Sequence, residues 1–93
     1  MAQTTILASG TTAAASTDIV VSAGSVVKVA IFSTNPGASL AGRGFEIFDV
    51  TPAAENLIGY LDEANRSTLL AGPGTYRVRR PVLATAFGVS LDA

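Results

Sequence analysis

Leu69-Leu70-Ala71-Gly72-Pro73-Gly74-Thr75-Tyr76-Arg77-Val78-Arg79-Arg80-Pro81 is the stretch that decides the fold. It reads as the end of one strand, a corner forced by Gly72, Pro73 and Gly74, and the start of another strand. In the new strand Thr75, Arg77 and Arg79 are expected to face outward and Tyr76 and Val78 inward, because side chains alternate with period two. A corner of this kind carries the chain from one sheet of a small β-sandwich to the other. Pro81 lacks an amide donor and so ends the strand or places it at an edge.

The same punctuation recurs along the chain. Thr4 to Ala8 is a short β-prone run that breaks at Ser9-Gly10, and Thr11 to Thr17 is rich in Thr, Ala and Ser. Asp18 to Val21 and Val26 to Ser33 are β-branched runs separated by Ser22-Ala23-Gly24-Ser25, which predicts a hairpin with a four-residue loop. Gly44 to Val50 alternates but carries an aromatic on each face, so period alone does not assign its core side. Thr51 to Asn56 reads as a loop or one helical turn, with Thr51 as cap and Pro52 at the first position. Leu57 to Leu61, Ser67 to Leu70 and Phe87 to Leu91 are further strands, and Asp62 to Arg66 is an exposed polar turn. Seven or eight short strands at this spacing predict an all-β chain, a small antiparallel β-sandwich of Ig-like or jelly-roll-like type.

Composition sets the outer limits. Ninety-three residues make a single domain, 1–93, whose core is small for its surface. Small domains are commonly reinforced by disulfides, metals or association. The chain has no Cys and no His, which removes the first and the commonest metal ligand and favours association. Only 14% of residues are charged while 48% are hydrophobic, so apolar surface goes into a core or an interface. The net charge of −1 and the lack of a basic face argue against nucleic acid. The longest apolar run, Val26 to Phe32, is interrupted by Lys28 and falls short of a membrane span. Met1 to Leu7 lacks a basic and apolar leader pattern, which predicts a protein made and kept in a reducing cytosol or assembled there.

Chemistry-bearing residues are few. Arg77, Arg79 and Arg80 place two guanidinium groups on one strand face with a third beside them. They read as a solvated edge, as a partner patch that pairs with acids, or as a phosphate site. Thr34 to Arg43 is the longest irregular stretch and a candidate contact loop, with Asn35 and Arg43 as its candidate interface residues. The segment 1–10 is a candidate docking arm, with Ile6 as its contact residue. Among the acids, only Glu46/Asp49 and Asp62/Glu63 are close in sequence. Asp62 and Glu63 are adjacent in a turn and poorly placed for paired carboxylate chemistry or calcium. No nucleophile elbow or phosphate loop is present, so the chain reads as a non-enzyme with no catalytic residues, no cofactor and no metal.

Two segments carry a resemblance. The Pro73-Gly74-Thr75-Tyr76 corner resembles that of immunoglobulin-like and fibronectin-like sandwiches, which implies that Tyr76 is a buried anchor bonded back to backbone. Together with Phe87-Gly88-Val89 and the early Ser16 to Gly24 segment, the Leu70 to Pro81 stretch is similar to small structural proteins of tailed-bacteriophage heads. That resemblance covers roughly a third of the chain. It implies a capsid decoration (cement) protein, located on the outside of the virion head and assembled in the host cytoplasm. Its expected partners are the major capsid protein and further copies of itself, with a trimer favoured, and neither nucleic acid nor membrane. The alternative is an adhesion or carbohydrate-binding Ig-like module on a tail or spike.

Overall fold

The computed structural model describes residues 3–35, 37–52 and 54–92. Met1 and Ala2 of the candidate arm, Pro36 of the expected turn and Ala53 lie outside them. The described residues form nine strands and no helix. In chain order these are β1 (Gln3–Gly10), β2 (Ala14–Ala15), β3 (Ile19–Val21), β4 (Val26–Phe32), β5 (Phe45–Asp49), β6 (Asn56–Leu61), β7 (Ser67–Ala71), β8 (Gly74–Arg80) and β9 (Phe87–Asp92). One sheet has the order β1-β9-β4-β7. The other has β2-β8-β5-β6, with β3 beside β8 following β2.

Every pairing is antiparallel, and the pairs are nested: β1 with β9, β2 and β3 with β8, β4 with β7, and β5 with β6. Two further pairings, β4 with β9 and β5 with β8, close this ribbon into two sheets. The inner faces meet in one apolar core. Val27, Val29, Ile31, Leu70, Phe87 and Val89 come from the first sheet, and Ile19, Val21, Phe45, Ile47, Leu61 and Val78 from the second. In β3 and β4 these residues alternate with exposed or half-exposed neighbours, the signature of strands that bury one face.

The opening stretch behaves as its sequence indicates. β7 lies in the first sheet and β8 in the second, so the Gly72-Pro73-Gly74 corner does transfer the chain between them. The Tyr76 hydroxyl donates to the Ala71 carbonyl at 2.6 Å, closing the corner. The Gly72–Pro73 peptide is cis. A Cβ at Gly72 would lie 1.8 Å from the Ser22 carbonyl oxygen, and the Gly72 amide donates to the Ser25 carbonyl at 2.9 Å. Only glycine lets these two backbones approach so closely.

That contact also exposes a correction. The Ser22 to Ser25 turn, with Gly24 at φ 79°, does not join a hairpin. It carries the chain from β3 in the second sheet to β4 in the first. The β3→β4 and β7→β8 crossings therefore abut at one end of the sandwich. Local sequence marks a turn but not which strand the next one pairs with, since pairing is decided by distant partners.

Thr11 to Thr17 is also ordered by a distant partner. The Ser16 amide donates to the Val78 carbonyl at 2.8 Å, and the Val78 amide donates to the Ser16 hydroxyl at 3.0 Å. Ser16 is buried and bridges the gap between β2 and β3 along β8. Thr51 and Pro52 form a turn, with no helical turn among the described residues there.

Candidate functional site

The three arginines of β8 have different fates, set by the period of the strand. Arg80 shares the inward face with Val78 and is only 4% exposed. Its Nε donates to the Thr12 carbonyl at 2.7 Å, and its Nη1 donates to the Ala8 and Phe87 carbonyls at 2.8 and 2.9 Å. Ala8 belongs to β1 and Phe87 to β9, both in the first sheet, while Arg80 ends β8 in the second. The guanidinium thus straps the two sheets together at the end of the sandwich, solvated by neutral carbonyls. A Cβ at Gly10 would come within 2.9 Å of it. The expectation that Arg80 serves a partner interface is corrected: it is an internal tie.

Arg77 and Arg79 point outward, as the alternation requires. Arg77 Nε meets Asp18 Oδ1 at 2.8 Å and its Nη1 meets Glu55 Oε2 at 3.0 Å. Arg79 Nη2 meets Glu55 Oε1 at 2.7 Å, and its guanidinium lies 4.9 Å from the centre of the Phe48 ring. The Arg77 guanidinium holds the Glu55 carboxyl below its ordinary range, with Arg79 adding to the effect. Hydrogen bonds to Asp18 and then Glu55 raise Arg77 in turn. Phe48 is 8% exposed although it lies on the outer face, because its cross-strand neighbour is Arg77 and Arg79 covers the ring. The two arginines therefore roof an aromatic outside the main core. A surface cleft lined by Asp18, Thr51, Glu55, Thr75 and Arg77 lies beside this cluster.

The candidate contact loop is pinned rather than free. Ala38 and Leu40 are buried in the core, and Arg66 Nη2 donates to the Ala38 carbonyl at 3.1 Å. The Glu63 carboxylate accepts from the Ser39 hydroxyl and the Leu40 amide. The Ser39 hydroxyl is the main cause of a lowered Glu63 carboxyl. Asp62 Oδ1 accepts the Ala64 and Asn65 amides, which folds the polar turn on itself. Of the two loop residues singled out, Asn35 caps the Gly37 amide at 3.2 Å and Arg43 is exposed.

Gln3 to Gly10 is not a free arm but the edge strand of the first sheet, paired with β9. Ile6 sits at a register irregularity, packs against the core, and its carbonyl accepts the Thr17 amide at 3.2 Å. Ile6 is thus half-buried against the core rather than carried on a free arm. Asp18 and Glu55 were not legible as arginine partners, because cross-strand and loop placement brings them to Arg77 from 59 and 22 residues away. Scarcity of charge was the one signal that any acid near β8 would be drawn to it.

Of the exposed large apolar side chains, Val82 follows β8 and the others lie in strands. Val26 and Leu69 lie on the first sheet, Val20, Leu57, Ile58 and Tyr60 on the second. Among the described residues, no group of three His, Cys, Asp or Glu side chains converges to hold a metal. Compared with known proteins, the chain matches no family model, no curated protein and no solved structure.

Proposed function

We propose that the chain is a structural virion protein, a decoration (cement) protein that binds the outside of a tailed-bacteriophage head and joins neighbouring capsid subunits. The observation that carries this reading is the division of its surface. The polar side chains brought together by the fold are engaged within it, at Asp18–Arg77–Glu55–Arg79, at Arg80 and at Glu63. The remaining surface includes large apolar side chains, with Val20 75% and Leu69 67% exposed. A surface of this kind suits repeated protein–protein contact better than turnover of a small molecule. The nested pairing, read as the rolled-up ribbon of a jelly roll rather than an Ig-like order, supports it by analogy, since capsid domains use that architecture.

Co-sedimentation with expanded capsids that lack the protein tests this reading. Saturable binding with a fixed ratio to capsid subunits, together with a raised capsid melting temperature, is the expected result. Failure to bind capsids at any concentration would overturn it. The alternative, an adhesion or carbohydrate-binding module on a tail or spike, is favoured by one observation, the exposed Tyr60 ring beside Leu57. Saturable binding to a glycan screen, lost in Tyr60→Ala, would select that alternative.

A further inference from the structure

The two sheets end in β1 and β7 on the first and in β6 and the β2 and β3 segments on the second. An open edge presents unpaired backbone groups, and brevity, charge or an irregularity commonly guards it. β1 carries two register irregularities, and β6 pairs with β5 across another. β2 and β3 have two and three residues, with the charged Asp18 between them. β7 has none of these guards. Its five residues, Ser67-Thr68-Leu69-Leu70-Ala71, include no charge and no proline, and they pair with β4 in unbroken register.

The ends of that ladder fix the direction in which β7 offers its backbone. The Ile31 amide donates to the Arg66 carbonyl and the Gly72 amide to the Ser25 carbonyl, both at 2.9 Å. These bonds continue the β4–β7 register by one residue at each end. Bonded and unbonded pairs alternate along an antiparallel ladder. Arg66, Thr68, Leu70 and Gly72 therefore bond towards β4, and the backbone groups of Ser67, Leu69 and Ala71 face the open side. The Ala71 carbonyl agrees, since the Tyr76 hydroxyl reaches it from outside the ladder at 2.6 Å. Leu69 stands at the centre of this row, with its side chain on the outer face and 67% of the residue exposed.

From this edge we infer that two copies of the chain pair β7 against β7, antiparallel about a two-fold axis through Leu69. The strand is its own complement. In this register Leu69 opposes Leu69, Ser67 opposes Ala71, and outward-facing backbone groups meet outward-facing ones throughout; a slip of one residue would oppose them to inward-facing ones. The Leu69 amide of each copy donates to the Leu69 carbonyl of the other, and each Ala71 amide to the other copy's Ser67 carbonyl. On the outer face the two Leu69 side chains cover each other, with the small Ser67 and Ala71 on either side. Arg66 comes opposite Gly72, which has no side chain, and turns inward to the Ala38 carbonyl. Lys28 does not oppose the contact. Asp92 lies directly opposite it on β9, and both β7 strands stand between the two lysines. That separation is three strand spacings, about 14 Å, and exceeds the Debye length at physiological salt. The contact is isologous and closes as a dimer.

The inference goes beyond capsid binding, and its test uses the chain alone. Light scattering coupled to size exclusion, over a wide range of concentrations, is expected to show the wild type passing from monomer to dimer. Amide hydrogen exchange read by NMR over the same range locates the contact. Thr68 and Leu70 should be protected at every concentration, because they bond to β4, whereas Leu69 and Ala71 should gain protection only as the dimer forms. Leu69→Pro removes the central outward amide at an edge position where the β4 ladder does not use it, and should weaken dimerisation about tenfold or more. Leu69→Lys sets like charges directly opposite across the axis and should weaken it similarly. Thermal melts report whether each variant folds, and the exchange pattern of the wild type decides should either fail. A wild type that stays monomeric, a trimer, or a dimer whose Leu69 amide exchanges as fast as in the monomer would each overturn the pairing. So would folded Leu69 variants that dimerise normally. Capsid binding by a monomer would leave the proposed function standing while this inference fails.

Discussion

Arg79 and Arg80 are neighbours in sequence and opposites in structure. Arg79 lies over Phe48 on the outer face, held by one carboxylate and in reach of water. Arg80 is inside, held by three backbone carbonyls and no acid. A single step along a strand reverses the face, so the same side chain becomes a surface cover in one place and an internal tie in the other. The difference shows that charge type says little here about role. What decides it is whether the groups within reach are carboxylates near solvent or carbonyls left unpaired at the end of a sandwich.

Arg80→Ala should break the comparison most sharply. It leaves the buried Phe87 carbonyl and the part-buried Ala8 and Thr12 carbonyls without this donor and opens a void between the sheets, at an expected cost of about 3 kcal/mol or more. Chemical denaturation should show that loss as a lower midpoint. Arg80→Lys tests whether geometry or charge matters. A lysine keeps the charge but not the planar fork, so it should recover only part of the loss, leaving about 1–2 kcal/mol missing. Ser16→Ala, which strips the Val78 amide of its partner in the interior, should cost about 1–2 kcal/mol by the same measurement.

On the outer face the effects are smaller. Arg79→Ala removes the cover over Phe48 and should cost about 1 kcal/mol, with greater binding of a hydrophobic dye. Glu55→Gln should leave the melting temperature near that of the wild type at physiological salt, because ions screen an exposed pair. Its signature is the pH profile. The Glu55 carboxyl is held below its ordinary 4.5 in the folded chain. A depressed folded pKa means that its stabilisation is present above the unfolded value and is lost as pH falls through the folded one. The wild type should therefore lose stability on acidification below about pH 4.5, and Glu55→Gln should lose less over that window. Equal acid profiles for the two proteins would remove Glu55 from the account. High salt should flatten this difference while leaving the effect of Arg80→Ala intact.

Much of the second half of the chain was legible without coordinates. The Gly72-Pro73-Gly74 corner, the inward Tyr76 and Val78, and the outward Arg77 follow from turn chemistry and period two, which act within a few residues. So does the inward row of Phe87, Val89 and Leu91 in β9. Arg80 was misplaced because its role depends on Ala8 and Thr12, about seventy residues away in sequence. The packing of Ile6 against the core was not legible because it arises at a register irregularity in β1. The anchoring of the Thr34 to Arg43 candidate contact loop was not legible because Glu63, which pins it, belongs to a turn more than twenty residues on. The Ser22 to Ser25 turn was recognised, but its neighbours were wrongly paired.

The sequence by itself determined that this is a short-stranded all-β chain with sharp corners, little charge and an apolar surplus. These properties are set by side-chain type and local spacing. Only the tertiary structure decided which strands pair, which arginine is buried and which acids meet it. It also decided which apolar residues remain exposed on the outer faces of the two sheets. Those outcomes come from the nested antiparallel pairing, which joins segments from the two ends of the chain. No local preference encodes such contacts, because their energy appears only once the distant partner has arrived.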